Sequence, residues 1–126
     1  MIDYRERENY IKVVCEGVFA IEKLPGQCEQ LLSHKSWKQD IGLLFDFSNF
    51  DFGEIDLNIS RRVVNQYQEV SELLGEGKIG LLMKSSLGFG LGRQFQIISE
   101  DKGHRKIEVF SNEQQALEWL LTAAVI

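Results

Sequence analysis

Gly42-Leu43-Leu44-Phe45-Asp46-Phe47-Ser48-Asn49-Phe50 is the stretch whose reading decides the fold. Leu43, Leu44, Phe45 and Phe47 form a short apolar run with a single acid inside it. A strand buried on both faces loses the in–out alternation of a half-exposed one, so the run predicts a central strand of an open sheet covered on both sides. Asp46, near its carboxyl end, is expected at the rim, where open α/β sheets keep their sites.

The segments downstream alternate helix and strand. Asp51, Gly53, Glu54 and Asp56 make a polar loop, and Asp56 can cap the helix that follows. That helix is expected over 57–74, with Ile59, Val63, Tyr67, Val70 and Leu74 as its apolar stripe and Gly75-Glu76-Gly77 as its stop. Lys78 to Lys84 reads as a second strand buried on both faces. Ser85 to Gly92 reads as a glycine-rich loop, and Arg93 to Glu100 as a short helix with Phe95 and Ile98 inward. Lys106 to Phe110 alternates, which suits a strand nearer the edge. Ser111 with Gln114 has the spacing of a capping box for a last helix carrying Ala116, Leu117, Leu120 and Leu121 on one side.

Upstream, residues 2–8 and 10–16 are expected to pair as a hairpin around a turn at Glu8-Asn9, with Gly17 ending the second strand. Ile11, Val13 and Cys15 share one face of that strand. A helix follows over about 22–35, most secure from Pro25 onward, because proline is tolerated in a first turn. Its stripe is Ile21, Leu24, Cys28, Leu31 and Leu32, with Trp37 closing over its end. The order is β-β-α-β-α-β-α-β-α. This predicts an α/β fold with a single mixed, mostly parallel five-stranded sheet and about four helices.

With 126 residues the chain is expected to form one domain, and 44% hydrophobic against 26% charged residues suits a globular protein. Net charge is −5, and no concentrated basic face is visible, which argues against nucleic acid as a partner. No apolar run approaches the roughly 20 residues of a spanning helix, so no membrane insertion is expected. The charged N-terminus is unlike a signal peptide, which points to the cytoplasm. Cys15 and Cys28 read as small core residues, and with His34 and His104 they offer no metal-ligand spacing. No metal or cofactor is expected.

Several stretches together resemble the bacterial SpoIIAA-like family of STAS-type domains, whose fold is related to the CRAL-TRIO lipid-carrier fold. They are the hairpin followed by βα units, Leu44-Phe45-Asp46-Phe47-Ser48, and Gly90-Leu91-Gly92-Arg93-Gln94-Phe95. The closing Ile107-Glu108-Val109-Phe110-Ser111-Asn112-Glu113-Gln114-Gln115-Ala116-Leu117-Glu118-Trp119-Leu120 completes the set. The resemblance covers nearly the whole chain and implies the fold more strongly than a function. Anti-sigma-factor antagonists of this fold place a phosphorylatable Asp-Ser-x-Gly-Leu after the central strand. Here Phe52-Gly53-Glu54-Ile55-Asp56-Leu57-Asn58 stands instead, with Ser48 before the loop and Ser60 one turn into the helix. A serine-operated partner switch is therefore not expected.

Three constellations could carry chemistry. Lys84, Ser85, Ser86 and Arg93 flank Gly88, Gly90 and Gly92 between a strand and a helix, an arrangement that could hold an anion on backbone N–H groups. It lacks the third glycine of a dinucleotide fingerprint and the Gly-Lys-Ser/Thr ending of a P-loop, and a flexible connection is the plainer reading. Asp46, Asp51, Glu54 and Asp56 could hold magnesium, yet read better as a solvated, helix-capping set. No Ser or Cys has an evident histidine partner, and no enzyme is expected. Phe50, Phe52, Phe89 and Leu91 lie at one predicted end of the sheet, as pocket lining or as lids on the core.

The expected function is a non-catalytic cytoplasmic interaction or sensing module. The alternative is a carrier of a small apolar, lipid-like or anionic ligand. The partner is thus an unidentified protein or small ligand. Trp119, Val125 and Ile126 leave more apolar surface than one helix stripe buries, which suggests a homodimer interface at the last helix.

Overall fold

Each strand of the parallel sheet sends apolar side chains to one common face, the two interior strands send them to the other face as well, and helices cover both. The computed structural model describes residues 2–6, 10–35, 37–53, 55–74, 77–101 and 106–121. The elements are β1 (Ile2–Glu6), β2 (Tyr10–Val18), a 3-10 turn (Ile21–Lys23), α1 (Leu24–Leu32), β3 (Gly42–Asp51), α2 (Leu57–Leu74), β4 (Ile79–Leu82), α3 (Ser86–Asp101), β5 (Ile107–Phe110) and α4 (Glu113–Leu121). Strands β2, β3, β4 and β5 form the parallel sheet in that order, and β1 pairs antiparallel with the outer edge of β2. β3 and β4 are interior, as their unbroken apolar runs require, and β5 is at the edge.

Parallel strands laid down in sequence order, with crossovers of one hand, put every connecting helix on the same side. Ile11, Val13, Leu43, Ile79, Leu81 and Val109 form the core on the side of α1, α2 and α3. Only α4 remains for the opposite face, where Leu44 and Leu82 meet Ala116 and Leu120. That face also holds charge. Lys12 Nζ lies 2.7 Å from Glu113 Oε1 and 3.7 Å from Asp46 Oδ2, joining β2, β3 and the first turn of α4.

Asp46 is not at a rim, because β3 runs five residues beyond it. Val14 pairs with Asp46 but Glu16 pairs with Asn49, so two residues of β2 span three of β3. The extra residue is a β-bulge. Asp46 serves it: its Oδ1 accepts the backbone N–H of Ser48 at 2.9 Å and the Ser48 hydroxyl at 2.5 Å. The bulge reverses the alternation, so Phe50 and Phe52 pack against the same core as Phe45 and Phe47. Sequence alternation cannot reveal an inserted residue, which is why 50–52 read as a loop.

Other boundaries move for local reasons. β2 continues past Gly17, which adopts φ 102°, to Val18, and Phe19 donates its N–H to Asp51 O. α1 is shorter than expected and begins at Leu24, with Pro25 in its first turn. α2 spans 57–74 as expected, and Asp56 caps it through the Ile59 N–H at 2.8 Å. Its buried face is Ser60, Val64 and Tyr67, rotated from the expected stripe toward α3. The α4 cap is Asn112, whose Oδ1 accepts the Gln115 N–H at 3.0 Å, and not Ser111. The Glu8-Asn9 turn, Gly75, Glu76 and His104 lie outside the described residues.

The largest correction concerns 85–92. The glycine-rich loop is the beginning of α3, which starts at Ser86 rather than Arg93. Glycine weakens a helix, but here it lets one lie close to its support. A Cβ on Gly88 would stand 3.2 Å from the Phe52 ring. On Gly92 it would stand 3.1 Å from both Val109 methyl carbons and 3.3 Å from Met83 Cε.

Trp119 also has partners within the chain. Its ring lies 5.6 Å from that of Phe110, Lys78 Nζ sits 5.1 Å from its centroid, and the same ammonium donates to Trp119 O at 2.8 Å. The surplus apolar surface expected of this residue is therefore covered in part by its own domain. Val125 and Ile126 lie outside the described residues.

The glycines of α3 yield opposed outcomes. A Cβ on Gly90 meets nothing within 4 Å, so Gly90→Ala should stabilise by about 0.5–1 kcal/mol. Gly92→Ala should instead destabilise by about 1 kcal/mol or more, because buried Val109 has little room to yield. Urea denaturation of the two variants checks both signs.

Candidate functional site: an apolar cavity between sheet and helices

α1 stands against α2 and reaches the core over the sheet through Leu31 and Leu32. Of its apolar stripe only Leu31 is fully buried; Leu24, Cys28 and Leu32 remain partly accessible. The space left is a partly open cavity of about 240 Å³. Its floor is the sheet, through Val13, Cys15, Leu43, Phe45, Ile79 and Leu81. Its walls are Leu24, Cys28, Leu31 and Leu32 of α1, then Ser60, Val63, Gln66 and Tyr67 of α2, then Leu91, Gly92 and Phe95 of α3.

One end is aromatic. Phe47 and Phe50 have centroids 5.5 Å apart, Phe47 and Phe52 5.4 Å, and Phe50 and Phe52 5.1 Å at near right angles. These are the tilted and edge-to-face distances that aromatic quadrupoles favour. Phe45 stacks on Phe47, and Tyr67 meets Phe95 edge to face at 5.9 Å. The signal for this wall was present as two phenylalanine pairs, 45/47 and 50/52, each at strand spacing. The bulge between them hid that all four share a face.

No Asp, Glu, Lys, Arg or His lines the cavity among the described residues. Its polar groups are neutral: Ser60, Gln27, Gln66, the phenol of Tyr67 and the thiols of Cys15 and Cys28. The surroundings act on both thiols. Burial pushes Cys15 from 9.0 up to about 12, with the nearby charge of Asp46 adding to the effect. Burial also raises Cys28, with Glu69 contributing.

The residues singled out for anion binding are not gathered into one site. Lys84, Ser85 and Ser86 are exposed. Ser85 caps α3, its hydroxyl accepting the Gly88 N–H at 2.9 Å and its carbonyl the Phe89 N–H. Gly88 and Gly92 face packed neighbours and Gly90 faces open space. Arg93 lies seven residues into the helix, roughly 10 Å along it from Ser86. There its Nη1 is 3.4 Å from Gln96 Oε1 and 3.9 Å from Glu108 Oε1. Of this set, Gly92 alone reaches the cavity.

The acids are likewise occupied by the backbone. Asp46 holds the bulge, Asp51 accepts the Gly53 N–H at 2.8 Å, and Asp56 caps α2. Glu54 lies outside the described residues. Among the described residues no group of three or more His, Cys, Asp or Glu could hold a metal ion, and no helix is long and apolar enough to cross a membrane. Of the four residues expected at one end of the sheet, Phe50, Phe52 and Leu91 line the cavity, whereas Phe89 is exposed.

The thiols give the cavity a pH signature. Below pH 9 the Cys15 thiol is neutral whether the chain is folded or unfolded, and it adds no pH dependence. From there up to about 12 it ionises in the unfolded chain but not in the folded one. Stability is then lost as pH rises, at up to about 1.4 kcal/mol per pH unit. Urea midpoints taken from about pH 8 to about pH 11 should fall more steeply for the native chain than for Cys15→Ala. Equal slopes would show that the thiol is not desolvated.

No family model and no curated protein matches the sequence. Among solved structures the chain is similar to an uncharacterised protein of the DUF3478 family from Shewanella loihica PV-4, described as having a SpoIIAA-like fold. The two share 14% identity with a TM-score of 0.59, over 95% of this chain and 92% of that one. An α/β chain with one mainly parallel sheet, three helices on one face and a closing helix on the other thus has a SpoIIAA-like fold.

Proposed function

We propose that this chain is a non-catalytic binding module that holds a small apolar molecule between its sheet and α1–α3, as a carrier or as a sensor of that molecule. The observation that supports this reading is the cavity itself. Protein interiors pack with few voids larger than a water molecule. Truncated cores lose about 24 cal/mol per Å³ of residual cavity, so an empty space of 240 Å³ would cost about 6 kcal/mol were it closed, an upper bound for a cavity that is partly open. That is comparable to the whole stability of a small domain, at about 5–15 kcal/mol. Water is a poor occupant where the walls are Leu, Phe, Ile and Val. An apolar ligand would replace the missing contacts.

The lack of ionised groups in the lining also bears on catalysis. General acid–base chemistry needs a group that can exchange a proton near neutral pH, and the cavity thiols are pushed away from that range. Partner binding on the outer surface is compatible with this reading. A sensor would transmit occupancy through the α1–α2 layer.

The probe that tests the proposal is 1-aminonaphthalene, uncharged at neutral pH and brighter in apolar surroundings. Titration into the native chain should give a saturable rise in fluorescence. Val63→Trp, which fills the α2 wall, should weaken binding about tenfold or more while the urea midpoint stays near that of the native chain. No saturable rise, together with native mass spectra of the apo mass alone, would overturn the proposal.

A further inference from the structure

This inference rests on the proposed binding role and names the chemistry of the ligand. Charge is the first discriminant. An ion transferred into a space without a countercharge or a full set of hydrogen bonds loses its hydration and regains little. The walls offer neither, since no ionisable side chain other than two thiols and one phenol lines them among the described residues. Burial already disfavours a negative charge on Cys15 and Cys28, which are wall groups themselves.

Size follows from volume. A cavity of about 150 Å³ lined by Leu, Ile and Phe holds benzene, with six ring atoms. By proportion, 240 Å³ accommodates on the order of ten non-hydrogen atoms. Shape follows from the aromatic end, where Phe47, Phe50 and Phe52 present tilted faces and edges, and Tyr67 and Phe95 do so opposite. A flat ring system meets such walls with ring-to-ring geometry that a flexible chain cannot match.

Ser60 supplies one polar group of the lining. It is buried, lines the α2 wall, and donates its hydroxyl proton to Gln94 Oε1 at 2.8 Å. Its backbone N–H goes to Asp56 O. A hydroxyl has one proton and two lone pairs, so with its proton committed Ser60 offers the cavity an acceptor.

We propose that the cavity selects an uncharged, largely aromatic ligand of about ten non-hydrogen atoms that donates one hydrogen bond to the Ser60 hydroxyl. Isothermal titration of the full chain at neutral pH with 1-naphthol, naphthalene and 1-naphthoate tests two of these features on one ring system, the hydrogen bond and the charge. 1-Naphthol should bind about fivefold more tightly than naphthalene, the size of one net hydrogen bond. It should bind about a hundredfold or more tightly than 1-naphthoate, which carries a charge on the same ring system. Ser60→Ala should abolish the advantage of 1-naphthol over naphthalene, with the urea midpoint of the variant reporting that it is folded. Equal or tighter binding of 1-naphthoate, or a naphthol advantage that survives Ser60→Ala, would overturn the inference while leaving the binding role intact. If none of the three binds and 1-aminonaphthalene also fails, both readings fall together.

Discussion

The structure depends on one strand that must satisfy two layers at once. β3 is buried against α1–α3 through Leu43, Phe45 and Phe47 and against α4 through Leu44. A strand so placed cannot slip by one residue without exchanging its two sets of side chains. Its register is therefore strongly specified, and β2 and β4 take theirs from it. Asp46 is a charge near this centre. It is tolerated because Ser48 and Lys12 satisfy it on the α4 side, away from the cavity.

The two faces of the sheet divide the chemistry between them. Charge lies on the face covered by a single short helix, where Lys12 bridges toward Glu113 and Lys78 donates to the Trp119 carbonyl in the last turn of α4. A cation beside a helix C-terminus also complements the helix dipole. The three-helix face is neutral and aromatic. This separation lets a large apolar cavity persist beside a set of fixed charges without an unpaired ion facing it.

Much of this was legible from residues and their spacing. The apolar runs at 43–47 and 79–83 placed the two interior strands, and the stripe and cap of α2 fixed its span at 57–74. Three features were not legible, for distinct reasons. Glycines at 88, 90 and 92 lower helix propensity, so the segment read as a loop. Close approach to Phe52 and Val109 overrode propensity there, and that is a property of neighbours far away in sequence. The Asn112 cap lost to Ser111 on pattern because both residues can cap a helix and only geometry chooses between them. The cavity was half visible. Of its aromatic residues Phe50 and Phe52 fall at one end of the sheet on the sequence alone, but periodicity measures which face a residue occupies and not how far two layers stand apart.

The extra residue in β3 has a consequence for how this domain can vary. Most changes to the aromatic wall would be substitutions that trade one ring for another. A deletion of one residue between Asp46 and Asn49 would remove the bulge and leave Phe50 and Phe52 in simple alternation with Phe45, on the same face as before. Closing the bulge at full length would be different in kind: it would carry Phe50 and Phe52 to the α4 side and strip two rings from the cavity without altering any side chain. The contacts of Asp46 with Ser48 that hold the extra residue are thus a determinant of ligand chemistry, although neither residue lines the cavity.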